Sequence, residues 1–154
     1  MTYWNTLKHR VSLARALSLS DWFALAEAWL GLFFFWILLR LRSAESIGIP
    51  SRAPVSDSFV DGAFFEARRL HRLVELASRL HPRAMTCLPR ALVLRWMLAR
   101  RGIPADLQVG VQKFDTGMQA HAWIELGGQP VGESPDLLQR FSRLVVVKGG
   151  QKFD

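Results

Sequence analysis

The chain has 154 residues, 50% of them hydrophobic and 21% charged, a composition that excludes a disordered polypeptide and fits one domain with a real core plus an appendage. Its single cysteine excludes an internal disulfide, and no Cys/His cluster has zinc-site spacing, so a reducing, cytoplasmic setting without metal or other cofactor is expected. The net charge of +7 sits towards the N-terminal side and mainly on arginine: residues 1–105 hold 15 basic and 7 acidic side chains, residues 106–154 hold 5 and 6.

Residues 1–20 carry Lys8, Arg10 and Arg15 among scattered apolar residues and can begin a helix. A much stronger helix follows over about 20–41, with Ser20 or Ser18 as its N-cap and Arg40 and Arg42 at its end. From Ala28 to Leu39 it has no charge, and apolar side chains point all round. Such a helix is packed on this domain or a partner, rests on a membrane surface, or spans one. Residues 43–58, with Pro50 and Pro54 among serines and glycines, read as a connector, so residues 1–52 are taken as an N-terminal helical extension and linker. Asp61 to Leu80 gives the next helix, with Phe64, Phe65, Leu70, Leu73, Val74, Leu76 and Ala77 as its apolar stripe and Arg68, Arg69, Arg72, Glu75 and Arg79 on wet faces. His71 and His81 read as exposed or capping residues.

Thr86 then reads as the N-cap of a third helix that opens on Cys87, with Pro89 in the first turn, where a missing N–H costs little. Leu88, Leu92, Trp96 and Ala99 follow at helical spacing, and Arg101-Gly102 with Pro104 stops the helix. Unpaired amides and the helix dipole at such a position favour a thiolate, the nucleophilic form of cysteine. Asp106 to Lys113 reads as a strand, a turn through Asp115-Thr116-Gly117 as its end, and Gln119 to Leu126 as the next strand, with His121, Trp123 and Glu125 on one face and Ala120, Ala122, Ile124 and Leu126 on the other. Gly127-Gly128 turns the chain back into a short strand ending near Glu133, which makes a meander. Ser134-Pro135-Asp136 starts a helical turn to about Phe141, Arg143 to Val147 is a last strand, and residues 149–154 are a tail. The expected class is thus α+β, with the core domain over residues 53–148.

A nucleophilic thiol needs a base and a group to orient that base. Cys87, His121 on a later strand, and Glu133 or, second, Asp136 on the returning strand supply one candidate for each role. The backbone N–H of Cys87 is the candidate oxyanion donor, and Trp123 is a cleft wall or a core tryptophan. Taken singly, a cysteine or histidine of this kind is more often structural; their order along the chain is what favours chemistry.

The motifs Cys87-Leu88-Pro89-Arg90-Ala91-Leu92, Arg101-Gly102-Ile103-Pro104-Ala105, Val109-Gly110-Val111 and Ala120-His121-Ala122-Trp123-Ile124-Glu125 closely resemble the transglutaminase-like B2 proteins of lasso peptide biosynthesis. The resemblance covers about residues 56–147. It implies a papain- or transglutaminase-like cysteine protease core in which a cysteine, a histidine and an acidic residue, usually aspartate, remove the leader from a ribosomally made precursor. Cys87 and His121 match the motif directly, and Glu133 stands where aspartate is usual. The implied partners are the precursor peptide, a separate leader-recognition protein of the B1 type and the lasso cyclase; the apolar helix or the arginine-rich Asp61 to Leu80 helix is expected to help dock the recognition protein with the leader. Nucleic acid is not among them: no binding motif is present, and the aromatics gather in the first helix away from most of the arginines. Membrane contact through residues 20–41 is a further expectation, and a thiol acyltransferase or amidase, or a non-catalytic scaffold of the same shape, are the rival functions.

Overall fold

The computed structural model describes residues 18–41, 60–114 and 117–144. The expected early helix, the connector with its 52/53 boundary, the Asp115-Thr116 turn and the C-terminal tail lie outside these residues. Three long helices come first: α1 Leu19–Leu41, α2 Val60–Leu80 and α3 Cys87–Ala99. A four-stranded antiparallel sheet follows, with β1 Asp106–Phe114, β2 Gly117–Leu126, β3 Gln129–Pro130, the short helix α4 Leu137–Arg140, and β4 Ser142–Arg143. The α+β expectation holds.

Ser18 starts α1. Its backbone N–H donates to Asp21 Oδ2 at 3.0 Å while the Asp21 N–H donates to Ser18 Oγ at 3.2 Å, a reciprocal cap that closes the first turn. The inward face of α1 is built from Ala24, Leu25, Ala28, Gly31 and Leu32. Small residues here let α2 and α3 come close: a Cβ added at Gly31 would lie 3.2 Å from Val93 of α3. Ion pairs hold the same seating, Asp21 with Arg69 of α2 at 2.6 Å and Glu27 with Arg101, just past α3, at 2.9 Å. Ala24, Leu25, Ala28 and Leu32 therefore belong to the same buried cluster as the core residues of α2, α3 and the sheet.

Helix α2 buries Ala63, Ala67, Leu70, Leu73, Val74 and Ala77. Phe65, expected in this stripe, is exposed, because the small Ala63 and Ala67 face the neighbouring helices instead. Helix α3 is central and buried on most sides through Pro89, Ala91, Leu92, Val93, Leu94, Met97 and Leu98. It ends where Gly102, at φ +70, turns the chain so that the Ile103 N–H donates to the Leu98 carbonyl at 3.0 Å.

The sheet order is β3-β2-β1-β4. Strands β1 to β3 form the expected meander, but β4 crosses to the far edge of β1, pairing Gly110 with Arg143. The last strand thus begins at Ser142, one residue before its predicted start, and residues 145–147 fall outside the described part. Both faces of β2 are covered. Ala122, Ile124 and Leu126 join the helical core, whereas Trp123 packs with Leu137 and Phe141 in a second cluster. Glu125 is buried on that second face, accepting from Trp123 Nε1 at 2.8 Å and from Arg143 Nη2 at 2.8 Å.

Gly110 sits at the centre of this arrangement, opposite His121 on one side and Arg143 on the other. A Cβ there would lie 2.7 Å from the Trp123 ring and 3.0 Å from the Ser142 carbonyl. Gly110→Ala should therefore lower stability by about 1–3 kcal/mol, the usual cost of overfilling a packed core. Chemical denaturation reads it directly, and an unchanged midpoint would mean that the ring has room to move.

Candidate active site

Cys87 is the first residue of α3 and is partly exposed. Thr86 before it is the N-cap, as expected, with extended backbone (φ −73, ψ 173), although its side chain makes no capping hydrogen bond. The Thr86 hydroxyl therefore does not occupy the first amides of α3, and Pro89 contributes none. Arg90, one turn into the helix, donates to both carboxylate oxygens of Glu75 at 2.9 and 3.0 Å and, through Nε, to the Thr86 carbonyl at 3.2 Å. These bonds tie the start of α3 to α2.

His121 lies on β2. Its Nε2 is 3.2 Å from Glu133 Oε2, and each side chain keeps roughly a fifth to a quarter of its surface exposed, at 24% and 21%. A carboxylate only accepts, so it favours the imidazole tautomer with the proton on Nε2, in which Nδ1 faces another partner as an acceptor. The ring is braced from behind: it stacks on Trp123 with centroids 6.0 Å apart and lies 5.4 Å from Phe141. Glu133 stands three residues after β3, beyond the strand expected to carry it. Gly132, at φ +73, makes the bend that presents it.

Asp136, the second candidate for the acid, does not point at the imidazole. Its carboxyl accepts from the Ser134 hydroxyl and lies 3.6 Å from Arg140. The Ser134 hydroxyl first, with Arg140 behind it, holds that carboxyl below the usual carboxylate range. Trp123 borders the cleft but is only 1% exposed, so it serves as packing beneath His121 more than as an open wall.

Cys87, His121 and Glu133 all border one cleft of about 340 Å³ between α2, the start of α3 and the β2–β3 edge. Charged and polar groups at its rim are His71, Glu75, Arg79 and Arg90. His71 corrects the expectation of a solvent-facing residue: its ring lies against Gly132, where an added Cβ would run into it. Burial pushes the His71 imidazole below its ordinary value, with Glu75 and Glu133 opposing that shift. His71 is half-buried and His81 is buried, 5.1 Å from the Trp29 ring of α1. Helical spacing carries the signal for both, since positions 67, 70, 74 and 77 are the buried stripe and 71 and 81 continue it. Among the described residues no group of three His, Cys, Asp or Glu side chains could hold a metal ion.

A partly exposed thiol at a helix start that has no side-chain cap, and a braced imidazole held by a carboxylate in the same cleft, are parts used in acyl transfer through a thioester. The family profile described as Transglutaminase-like superfamily matches residues 22–146. No curated protein and no solved structure matches the chain.

Proposed function

The chain belongs to the transglutaminase-like superfamily, and on that premise we propose that it is a cysteine peptidase that removes the leader from a ribosomally made precursor of the lasso peptide type. The observation that carries the reading is the cleft shared by Cys87, His121 and Glu133, with His121 bonded to Glu133. The narrower substrate assignment is supported by the likeness of the Cys87 and His121 motifs to B2 proteins.

In the proposed reaction the Cys87 thiol gives its proton to His121, through Nδ1, and its sulfur attacks the scissile carbonyl. The tetrahedral oxyanion is held by backbone N–H groups at the start of α3, that of Cys87 included. The C–N bond then breaks, and His121 delivers the proton to the departing amine, the new N-terminus of the core peptide. Water, deprotonated by His121, adds to the thioester. The C–S bond breaks, releasing the leader as a carboxylic acid and restoring the thiol. Glu133 holds the imidazole in the tautomer and orientation that both half-reactions use. Leader capture falls to a separate recognition protein in this reading, and the cyclase acts on the core that is released.

The test is incubation of the full chain with a leader-bearing precursor, with and without a recognition protein, followed by intact-mass analysis. Leader acid plus free core amine is the expected outcome. A leader joined to an added amine would instead assign an acyltransferase, and an intact precursor under both conditions would refute cleavage.

A further inference from the structure

Helix α1 is apolar on two opposite faces, and only one of them is used by the fold. Its inward face carries Ala24, Leu25, Ala28 and Leu32. The outward face carries Trp22, Phe23, Trp29, Leu30, Phe33 and Phe34, pairs set about two turns and then one turn apart so that they form one stripe, extended by Leu19 and Leu41 at its ends. Phe23 is 78% exposed, Leu30 62% and Phe34 59%. A stripe of this size on a folded domain marks an interaction surface.

Charge identifies what it meets. Both acidic residues of the helix are turned to the fold and paired, Asp21 with Arg69 and Glu27 with Arg101. The borders of the stripe are basic. Arg83 lies over the Trp36 ring at 4.7 Å on one side and Arg40 over the same ring at 4.8 Å towards the C-terminal end, while on the other side Arg100, over Trp96 at 5.0 Å, also lies 3.6 Å from Glu27. Aromatic and aliphatic side chains edged by guanidinium groups suit an anionic lipid surface, where rings sit at the headgroup level and arginines meet phosphates. Pairing with a second copy would bury Arg40 and Arg83 against apolar side chains, with the stripe's carboxylate, Glu27, already engaged by Arg100 and Arg101.

The helix is long and apolar enough to cross a membrane. Its seating argues for lying flat. Crossing would draw the packed α2 and α3, with Arg68, Arg72 and the Glu27–Arg101 pair, into hydrocarbon.

We propose that the outward face of α1 docks the protein peripherally on anionic membranes, leaving open the cleft at Cys87, which no α1 residue lines. This inference does not depend on the peptidase reading. The full chain is tested by co-sedimentation with vesicles of phosphatidylcholine containing about a quarter phosphatidylglycerol, and with phosphatidylcholine alone. Binding to the anionic vesicles should be about tenfold or more tighter than to the neutral ones. The triple variant Phe23→Asp, Leu30→Asp, Phe34→Asp should lose it while keeping its circular dichroism and its Cys87 alkylation rate. Arg40→Gln with Arg83→Gln, which leaves every apolar group in place, should weaken anionic binding alone. Three results would overturn the proposal: no sedimentation with either vesicle, a lipid-indifferent dimer that the triple variant dissociates, or material that resists an alkaline carbonate wash as a spanning protein does.

Discussion

Cys87→Ala is expected to abolish precursor cleavage, lowering turnover by on the order of 10⁴-fold or more while leaving the fold intact. The size follows from the role: without sulfur no thioester forms, and the remaining amides and binding groups accelerate only direct attack by water. The substitution removes one partly exposed atom at a helix start, and the buried side of α3 is made by Pro89, Ala91 and Leu92, so thermal stability should change little. Cys87→Ser sharpens the result. A hydroxyl keeps the shape but ionises far less readily than a thiol, so serine should be almost as inactive as alanine. Activity retained in both variants would transfer the chemistry to another group.

Glu133→Gln should reduce turnover on the order of 10³-fold, and Asp136→Asn should leave it near the parent's. Glu133 accepts from His121 Nε2 at 3.2 Å, whereas Asp136 is engaged by Ser134 and Arg140. An amide at position 133 can donate to the ring as well as accept from it, and so stabilises the wrong tautomer as readily as the right one. Steady-state kinetics of the two variants decide the matter. Full activity in Glu133→Gln with loss in Asp136→Asn would reverse the assignment of the acid.

What the sequence disclosed depended on whether the information was local. The start of α3 at Cys87, the stop at Gly102 and the alternation of His121 with Ala122 are written in neighbouring residues, and the structure has all three. The pairing of Glu133 with His121 was reachable because the Gly127-Gly128 turn fixes the return of the chain. Contacts between distant segments were not. Phe65 looks like a core residue until Ala63 and Ala67 are seen to allow the closer approach, and β4 reaches β1 only through the crossing that pairs Gly110 with Arg143. His71 and His81 look like exposed or capping residues because histidine on a helix so often is, although their spacing continues the buried stripe. The apolar helix α1 is the clearest case: periodicity cannot choose a buried face when both faces are apolar. Ala24, Ala28 and Gly31, small residues at helical spacing, were the signal for which side meets the fold.

The centre of the account is that the sulfur of Cys87 and the imidazole of His121 act as one unit. The most direct measurement is the rate of Cys87 alkylation by iodoacetamide at neutral pH in the parent and in His121→Ala, a comparison that needs no substrate. A coupled pair predicts fast alkylation in the parent and a fall of about tenfold or more in the variant, towards the rate of an ordinary cysteine in a peptide. Equal rates in the two proteins, or a thiol that does not react in the parent, would contradict it.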